Sequence, residues 1–100
     1  MSVDINEQNF KEETSEGLVL LDFHAPWCGP CRMLAPLLDQ LENVKVAKVN
    51  VDDNKDLAVE YNISAIPKIV FLKDGTNVGE YAGMQTKEFL QNKINELNGE

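Results

Sequence analysis

The segment Trp27-Cys28-Gly29-Pro30-Cys31 holds both cysteines of this 100-residue chain. It follows a nearly continuous apolar run at 18–23 and precedes a helical apolar pattern at 33–41. Such a run has the length and composition of a strand that is covered on both faces, as in a parallel α/β sheet. The two cysteines are therefore expected between a buried strand and the start of a helix.

The number and spacing of the cysteines limit the chemistry that they can serve. A structural zinc site is tetrahedral, and the chain offers two cysteines and one histidine, His24. A disulfide framework normally uses more cysteines at wider spacing, because closing so short a loop removes little chain entropy. In a cytosolic protein, a pair this close indicates a disulfide that opens and closes reversibly. The alternative is a pair of inert buried thiols.

Length and charge narrow the function classes further. We expect a single domain over 1–100 and a monomer, because compact domains have about this size. Seventeen acidic residues against nine basic ones give a net charge of -8, which disfavours nucleic acid and anionic membrane as partners. The apolar runs are too short to span a bilayer, and residues 1–7 lack the features of a signal peptide. A cytoplasmic protein is the resulting expectation.

The apolar periodicity predicts elements in the order β-α-β-α-β-α-β-β-α. Strands are predicted at 3–5, 18–23, 44–51, 68–72 and 78–82, and helices at about 6–13, at 33–41, through 57–61 after an N-cap at 52–54, and from Thr86 through 97. The apolar stripe of the second helix is predicted to contain Met33, Leu34, Leu37, Leu38 and Leu41. Strands joined by helical crossovers should run parallel, and an Asp74-Gly75 turn should form a terminal antiparallel hairpin. The predicted fold class is α/β, with a mixed five-stranded sheet flanked by four helices.

The cysteine motif, following Asp22-Phe23 on a buried strand, resembles the active-site motif of the thioredoxin family. The resemblance covers nearly the whole chain and includes Lys48, Ile66-Pro67, the turn at 73–75 and Gly83. It implies the thioredoxin fold and a general protein-disulfide reductase that works through a reversible Cys28–Cys31 disulfide, with no bound cofactor. It also implies thioredoxin reductase as the electron donor, and ribonucleotide reductase, peroxiredoxins or methionine sulfoxide reductases as acceptors. NADPH would bind the reductase, since the chain lacks a glycine-rich dinucleotide fingerprint.

Different roles are expected for the two cysteines. Cys28 would lie at the N-terminus of the second helix, where free amide N–H groups and the helix dipole stabilise a thiolate. Its sulfur should be the more exposed of the two and should attack a substrate disulfide. Cys31 would then attack Cys28 and release the reduced substrate.

Asp22 is the one charged residue in the apolar run at 18–23. Its neighbours Leu21 and Phe23 suggest burial, which raises the pKa of a carboxyl group and suits it to carry a proton near neutral pH. The resemblance gives it the same role, deprotonation of Cys31, with Lys48 beside it. The alternatives are a surface aspartate and a solvated lysine.

A contact face for substrate is also implied by the resemblance. Ile66-Pro67 resembles the cis-proline loop of the family, although a trans bond is the default from sequence alone. The face would comprise Trp27, Gly29, Pro30, Ile66, Pro67 and Gly83. A core position is the alternative for Trp27.

The chain departs from the family pattern at two positions near the motif. His24 replaces a large aromatic residue and is assigned no catalytic role, and Lys68 replaces a threonine and adds a positive charge close to the expected contact face. Three other functions remain open: an oxidase or isomerase of the same fold, a redox-inert docking module, and incomplete metal binding. The Gly29-Pro30 pair, Asp22 and the missing signal peptide favour the reducing direction.

Overall fold

The computed structural model describes residues 2–100 and contains the predicted elements in the predicted order. The strands are β1 (Ser2–Asp4), β2 (Leu18–His24), β3 (Lys45–Asn50), β4 (Lys68–Lys73) and β5 (Thr76–Ala82). The helices are α1 (Phe10–Thr14), α2 (Gly29–Leu38), α3 (Lys55–Glu60) and α4 (Lys87–Leu97). No helix among these residues is long and apolar enough to cross a membrane.

The five strands form one mixed sheet in the order β1-β3-β2-β4-β5. β3 runs parallel to both β1 and β2, whereas β4 is antiparallel to β2 and to β5. The predicted division into parallel crossover strands and an antiparallel hairpin is confirmed. β2 is paired on both sides, so the motif that follows it is held at the end of a central strand.

Both faces of β2 are buried in separate apolar clusters. Val19, Leu21 and Phe23 pack on one face with side chains from α1 and α3. Leu18 and Leu20 pack on the other face with side chains from α2 and α4. Coverage on both faces explains why 18–23 is almost continuously apolar.

The turn between β4 and β5 follows the Asp-Gly signal. Asp74 and Gly75 have φ angles of 50° and 84°, as a type I′ hairpin turn requires. Glycine adopts positive φ without steric cost, and aspartate tolerates it better than most residues.

Of the N-caps predicted for the last two helices, one forms a side-chain cap and the other does not. The Thr86 hydroxyl accepts a hydrogen bond from the Phe89 N–H at 3.1 Å, so the cap predicted for α4 is confirmed. Asn54 does occupy the N-cap position of α3, but its side chain turns back. Its Nδ2 donates to the carbonyls of Ile5 and Asn50, which ties the start of α3 to the end of β3 and to the residue after β1.

The start of α1 differs from the prediction. The helix begins at Phe10 rather than near residue 6, because asparagine side chains replace helical hydrogen bonds in the preceding turn. Asn6 Oδ1 accepts from the N–H groups of Gln8 and Asn9, and Asn9 Oδ1 accepts from the Asn6 N–H.

The apolar stripe of α2 was also misassigned at its ends. Its buried residues are Cys31, Leu34 and Leu38, which are spaced three and four apart along one face. Met33 lies off that face and is 68% exposed, so its predicted place in the core is wrong. Leu41 lies beyond the end of the helix and is only half-buried.

Candidate active site

A disulfide joins Cys28 and Cys31 at the junction of β2 and α2. Cys28 is the N-cap residue of α2, and Gly29 and Pro30 begin its first turn. The N–H of Cys31 donates to the Sγ of Cys28 at 3.3 Å. The sulfur of Cys28 therefore occupies the position where the unpaired N–H groups and the positive end of the helix dipole stabilise negative charge.

Both cysteines are buried in this oxidised form. Cys28 is 5% and Cys31 4% exposed, so neither residue offers much surface to a substrate. They pack with Ala25, Val51 and Ile66 in a small cluster under the surface. Access of another sulfur to Cys28 is therefore controlled by the residues that surround it.

The loop at Ile66-Pro67 lies directly against Cys28. The peptide bond is cis, as the resemblance implied, and the Ile66 carbonyl oxygen is 3.8 Å from the Sγ of Cys28. The Pro67 carbonyl accepts a hydrogen bond of 2.8 Å from the N–H of Gly83, which has a φ of 83°. The conformation of Gly83 is one that favours glycine, and the bond fixes the two loops to each other.

Trp27 is 67% exposed, so the alternative of a core tryptophan is wrong. Its Nε1 donates to Asp52 Oδ2 at 2.8 Å, an interaction that was not predicted from the sequence. Asp52 lies in the turn that directly follows β3, whose end neighbours that of β2, and this was the available signal. The indole forms one wall of an apolar groove of about 380 Å³, whose other lining residues include Val51, Ala58, Ile63 and Ile66.

Asp22 is buried on β2, and the alternative of a surface aspartate is wrong. It is 1% exposed, and among residues 2–100 its Oδ1 has no hydrogen-bond partner. Burial raises the pKa of Asp22 to about 6, and the positive charge of Lys48, its register partner on β3, opposes the rise. The structure thus places the lysine beside the acid.

A cavity of about 100 Å³ connects this acid to the disulfide. Asp22, Cys31 and Lys48 all line it, together with His24 and Arg32. A space of this size has room for water. The arrangement can pass a proton between Asp22 and Cys31 through water.

The two departures from the family pattern have different surroundings. His24 is half-buried, and its pKa is lowered by burial and then by Lys48, while Asp4 opposes this. Lys68 Nζ forms an ion pair of 2.8 Å with Glu80. Its charge is therefore largely balanced on the protein rather than added to the contact face.

No three side chains of His, Cys, Asp or Glu in residues 2–100 are grouped so that they could hold a metal ion.

Comparison with known sequences and structures identifies the family. The family model described as "Thioredoxin" matches residues 1–96. The chain belongs to the thioredoxin family. Thioredoxin from Bacillus subtilis is 45% identical over 98 residues, covering 93% of this chain and 94% of that protein. Thioredoxin from Chlamydia pneumoniae is 45% identical over 95 residues, covering 91% and 93%.

The fold of this thioredoxin-family chain is also matched by a solved structure. A mutant thioredoxin from Halobacterium salinarum NRC-1 aligns with a TM-score of 0.88 and 33% identity, covering 95% of this chain and 88% of that one. The thioredoxin fold is thus confirmed. Together with the Cys28–Cys31 disulfide, family membership makes the chain a thiol–disulfide oxidoreductase with protein-disulfide reductase activity.

Proposed function

We propose that Cys28 is the nucleophile and Cys31 the resolving thiol of a general protein-disulfide reductase. One observation carries this assignment: Cys28 Sγ lies at the N-cap of α2 and accepts the N–H of Cys31. In the reduced protein, the same position favours the thiolate, which is the form that attacks disulfides. Cys31 lies within the first turn of α2.

The proposed reaction moves one electron pair from the cysteines to the substrate. The Cys28 thiolate attacks one substrate sulfur, so the substrate S–S bond breaks, a mixed disulfide forms and one substrate thiolate leaves. The Cys31 thiolate then attacks Cys28 Sγ, the mixed disulfide breaks and the second substrate thiolate leaves. The product is the Cys28–Cys31 disulfide. The second step is intramolecular and therefore gains from proximity.

Asp22 is proposed to carry the proton that Cys31 loses. With a pKa of about 6, its carboxyl is about nine-tenths ionised at pH 7 and is ready to accept a proton. The shared cavity supplies a path through water, and the charge of Lys48 favours the ionised form of the acid. The thiol, once deprotonated, attacks the mixed disulfide.

An extended substrate segment is proposed to bind beside Cys28. Trp27 and Ile66 would supply apolar contact, and the loops at Pro67 and Gly83 would supply backbone groups. Gly29 and Pro30 are small residues and would leave the surface around the Cys28 sulfur flat. A face built mainly of backbone and apolar groups suits many substrates, because it demands little of their side chains.

The proposed partners rest on family membership. Thioredoxin reductase would return the electron pair from NADPH, which it would bind itself. Ribonucleotide reductase, peroxiredoxins and methionine sulfoxide reductases would accept it. The net charge of -8 supports the exclusion of nucleic acid and membrane as partners. A monomer that acts in the cytoplasm completes the proposal.

The direction of electron flow is tested by equilibrating the Cys28–Cys31 pair against a dithiol buffer, with thiol labelling and Trp27 fluorescence as readouts. We expect a reversible couple more reducing than the glutathione pool. A strongly oxidising couple would assign the chain to disulfide formation instead. If no reversible couple is found, the redox function is contradicted and the docking module becomes the better reading.

A further inference from the structure

Three charged side chains form a row across the parallel half of the sheet. Lys48 on β3 is in register with Asp4 on β1 and with Asp22 on β2. The neighbours of Asp4, Val3 and Ile5, both pack in the cluster on the opposite face of the sheet. Because side chains alternate between faces, Asp4 lies on the same face as Lys48 and Asp22. Lys48 therefore lies between two acidic residues on this face of the sheet.

Lys48 also lines two cavities. One is the cavity of about 100 Å³ with Asp22 and Cys31, and the other is a polar cavity of about 410 Å³ with Asp4. Within residues 2–100, no carboxylate oxygen lies within 4.0 Å of Lys48 Nζ. A lysine side chain is long and flexible, so its charge can approach either acid.

We propose that Asp4 is a positioning residue for the active site. It attracts the same Lys48 ammonium group as Asp22 and so weakens the stabilisation that Lys48 gives to the ionised Asp22 carboxylate. This inference rests on the proposed role of Asp22 as the proton carrier. When Asp22 is ionised, it attracts Lys48. When Asp22 takes up the proton of Cys31, Lys48 is released toward Asp4. Movement of the lysine would then accompany each proton transfer.

Other charged groups face the same two cavities. They are His24 on β2, Arg32 on α2 and Asp53 after β3. The lowered pKa of His24 keeps the imidazole largely neutral at pH 7, and the Arg32 guanidinium donates to the Pro26 carbonyl at 2.7 Å. Lys48 is the cation that lines both cavities.

The inference is tested by titrating the carboxyl carbon of Asp22 by NMR in the oxidised full chain at low ionic strength. Asp4→Asn is expected to lower the titration midpoint by about half a pH unit, since Asp22 then receives more of the lysine charge. Lys48→Met is expected to raise it. In the double variant, Asp4→Asn is expected to add less than about 0.2 pH units, because the shared cation is gone.

Two results would overturn the inference. Equal shifts from Asp4→Asn with and without Lys48 would mean that Asp4 acts on Asp22 directly through its own field. No shift in either background would mean that Asp4 has no effect. Asp53→Asn is the matched control, because it removes one charge from the same cavity without changing the row. A shift from Asp53→Asn as large as that from Asp4→Asn would also contradict the inference.

The Asp4→Asn substitution is conservative for the fold. The hydrogen bond of 3.1 Å from Asn9 Nδ2 goes to the backbone carbonyl of Asp4 and is retained. The titration does not depend on turnover, so it separates this inference from the proposed function. If the midpoint shifts as expected but the rate of mixed-disulfide resolution does not follow it, the proton-carrier role of Asp22 fails and the positioning by Asp4 stands.

Discussion

A Cys31→Ser variant is expected to stop after the first half of the reaction and to accumulate as a mixed disulfide with its substrate. Cys28 keeps its place at the N-cap of α2, so the first attack proceeds, but no second thiol is present to resolve the product. Turnover with a two-chain disulfide substrate such as insulin should fall at least about 10³-fold. Non-reducing gels and mass spectrometry should show a covalent complex that dithiothreitol separates by reducing the mixed disulfide.

The matched variant Cys28→Ser is expected to lose turnover to the same extent and to trap nothing. Its remaining thiol, Cys31, lies within the first turn of α2 rather than at the N-cap and belongs to the proposed resolving step. If Cys28→Ser traps substrate and Cys31→Ser does not, the order of attack is reversed. If the double variant keeps full cellular activity, the chain acts by docking rather than by exchange.

Much of the fold was predictable because local signals and packing agree in this chain. The apolar run at 18–23 predicted a strand covered on both faces, and β2 has a separate apolar cluster on each face. The Asp74-Gly75 turn and the Thr86 cap depend on residues close together in sequence, and both formed as expected. Asp22 was expected to be buried because its flanking residues are apolar, and it is.

The features that were missed depend on how distant segments are placed. The Asp52 contact with Trp27 and the Glu80 contact with Lys68 join residues that are separate in the sequence. For Asp52 the signal was its place after β3, whose end neighbours that of β2, whereas Glu80 carries no local signal for its contact. The row that contains Asp4 requires β1 to pair with β3, and the periodicity of the sequence does not give the order of strands in a sheet.

An Asp22→Asn variant is expected to be more stable than the parent above pH 6. The pKa of Asp22 is 3.8 when unfolded and about 6 when folded, so the folded state holds its proton more tightly. Its contribution to stability is full below pH 3.8 and is lost as the pH rises through about 6. This loss amounts to about 3 kcal/mol for the parent. Asparagine does not titrate, so the variant does not lose this unfolding free energy as the pH rises.

The measurement is urea unfolding of both proteins between pH 4 and pH 8. The difference in unfolding free energy between the two proteins should grow by about 2 kcal/mol across that range, since part of the loss already occurs below pH 4, and be level above pH 7. Comparing pH values cancels any constant cost of the buried amide. Asp39→Asn, which removes an exposed carboxyl at the end of α2, is the control and should show no such growth. A pH-independent difference for Asp22→Asn would show that the buried acid titrates normally.

The same substitution should slow resolution of the mixed disulfide by about 10-fold at pH 7. This is less than the roughly 10²–10⁴-fold typical of a general base, because the cavity lined by Cys31 has room for solvent bases that can also take the proton. Stopped-flow measurement of the resolving step would detect the change. An unchanged rate would remove the proton-carrier role. A variant that is both more stable and slower would show that Asp22 trades stability for function. The buried acid, whose Oδ1 has no hydrogen-bond partner, destabilises the fold at neutral pH. Its raised pKa is what lets it exchange protons with Cys31.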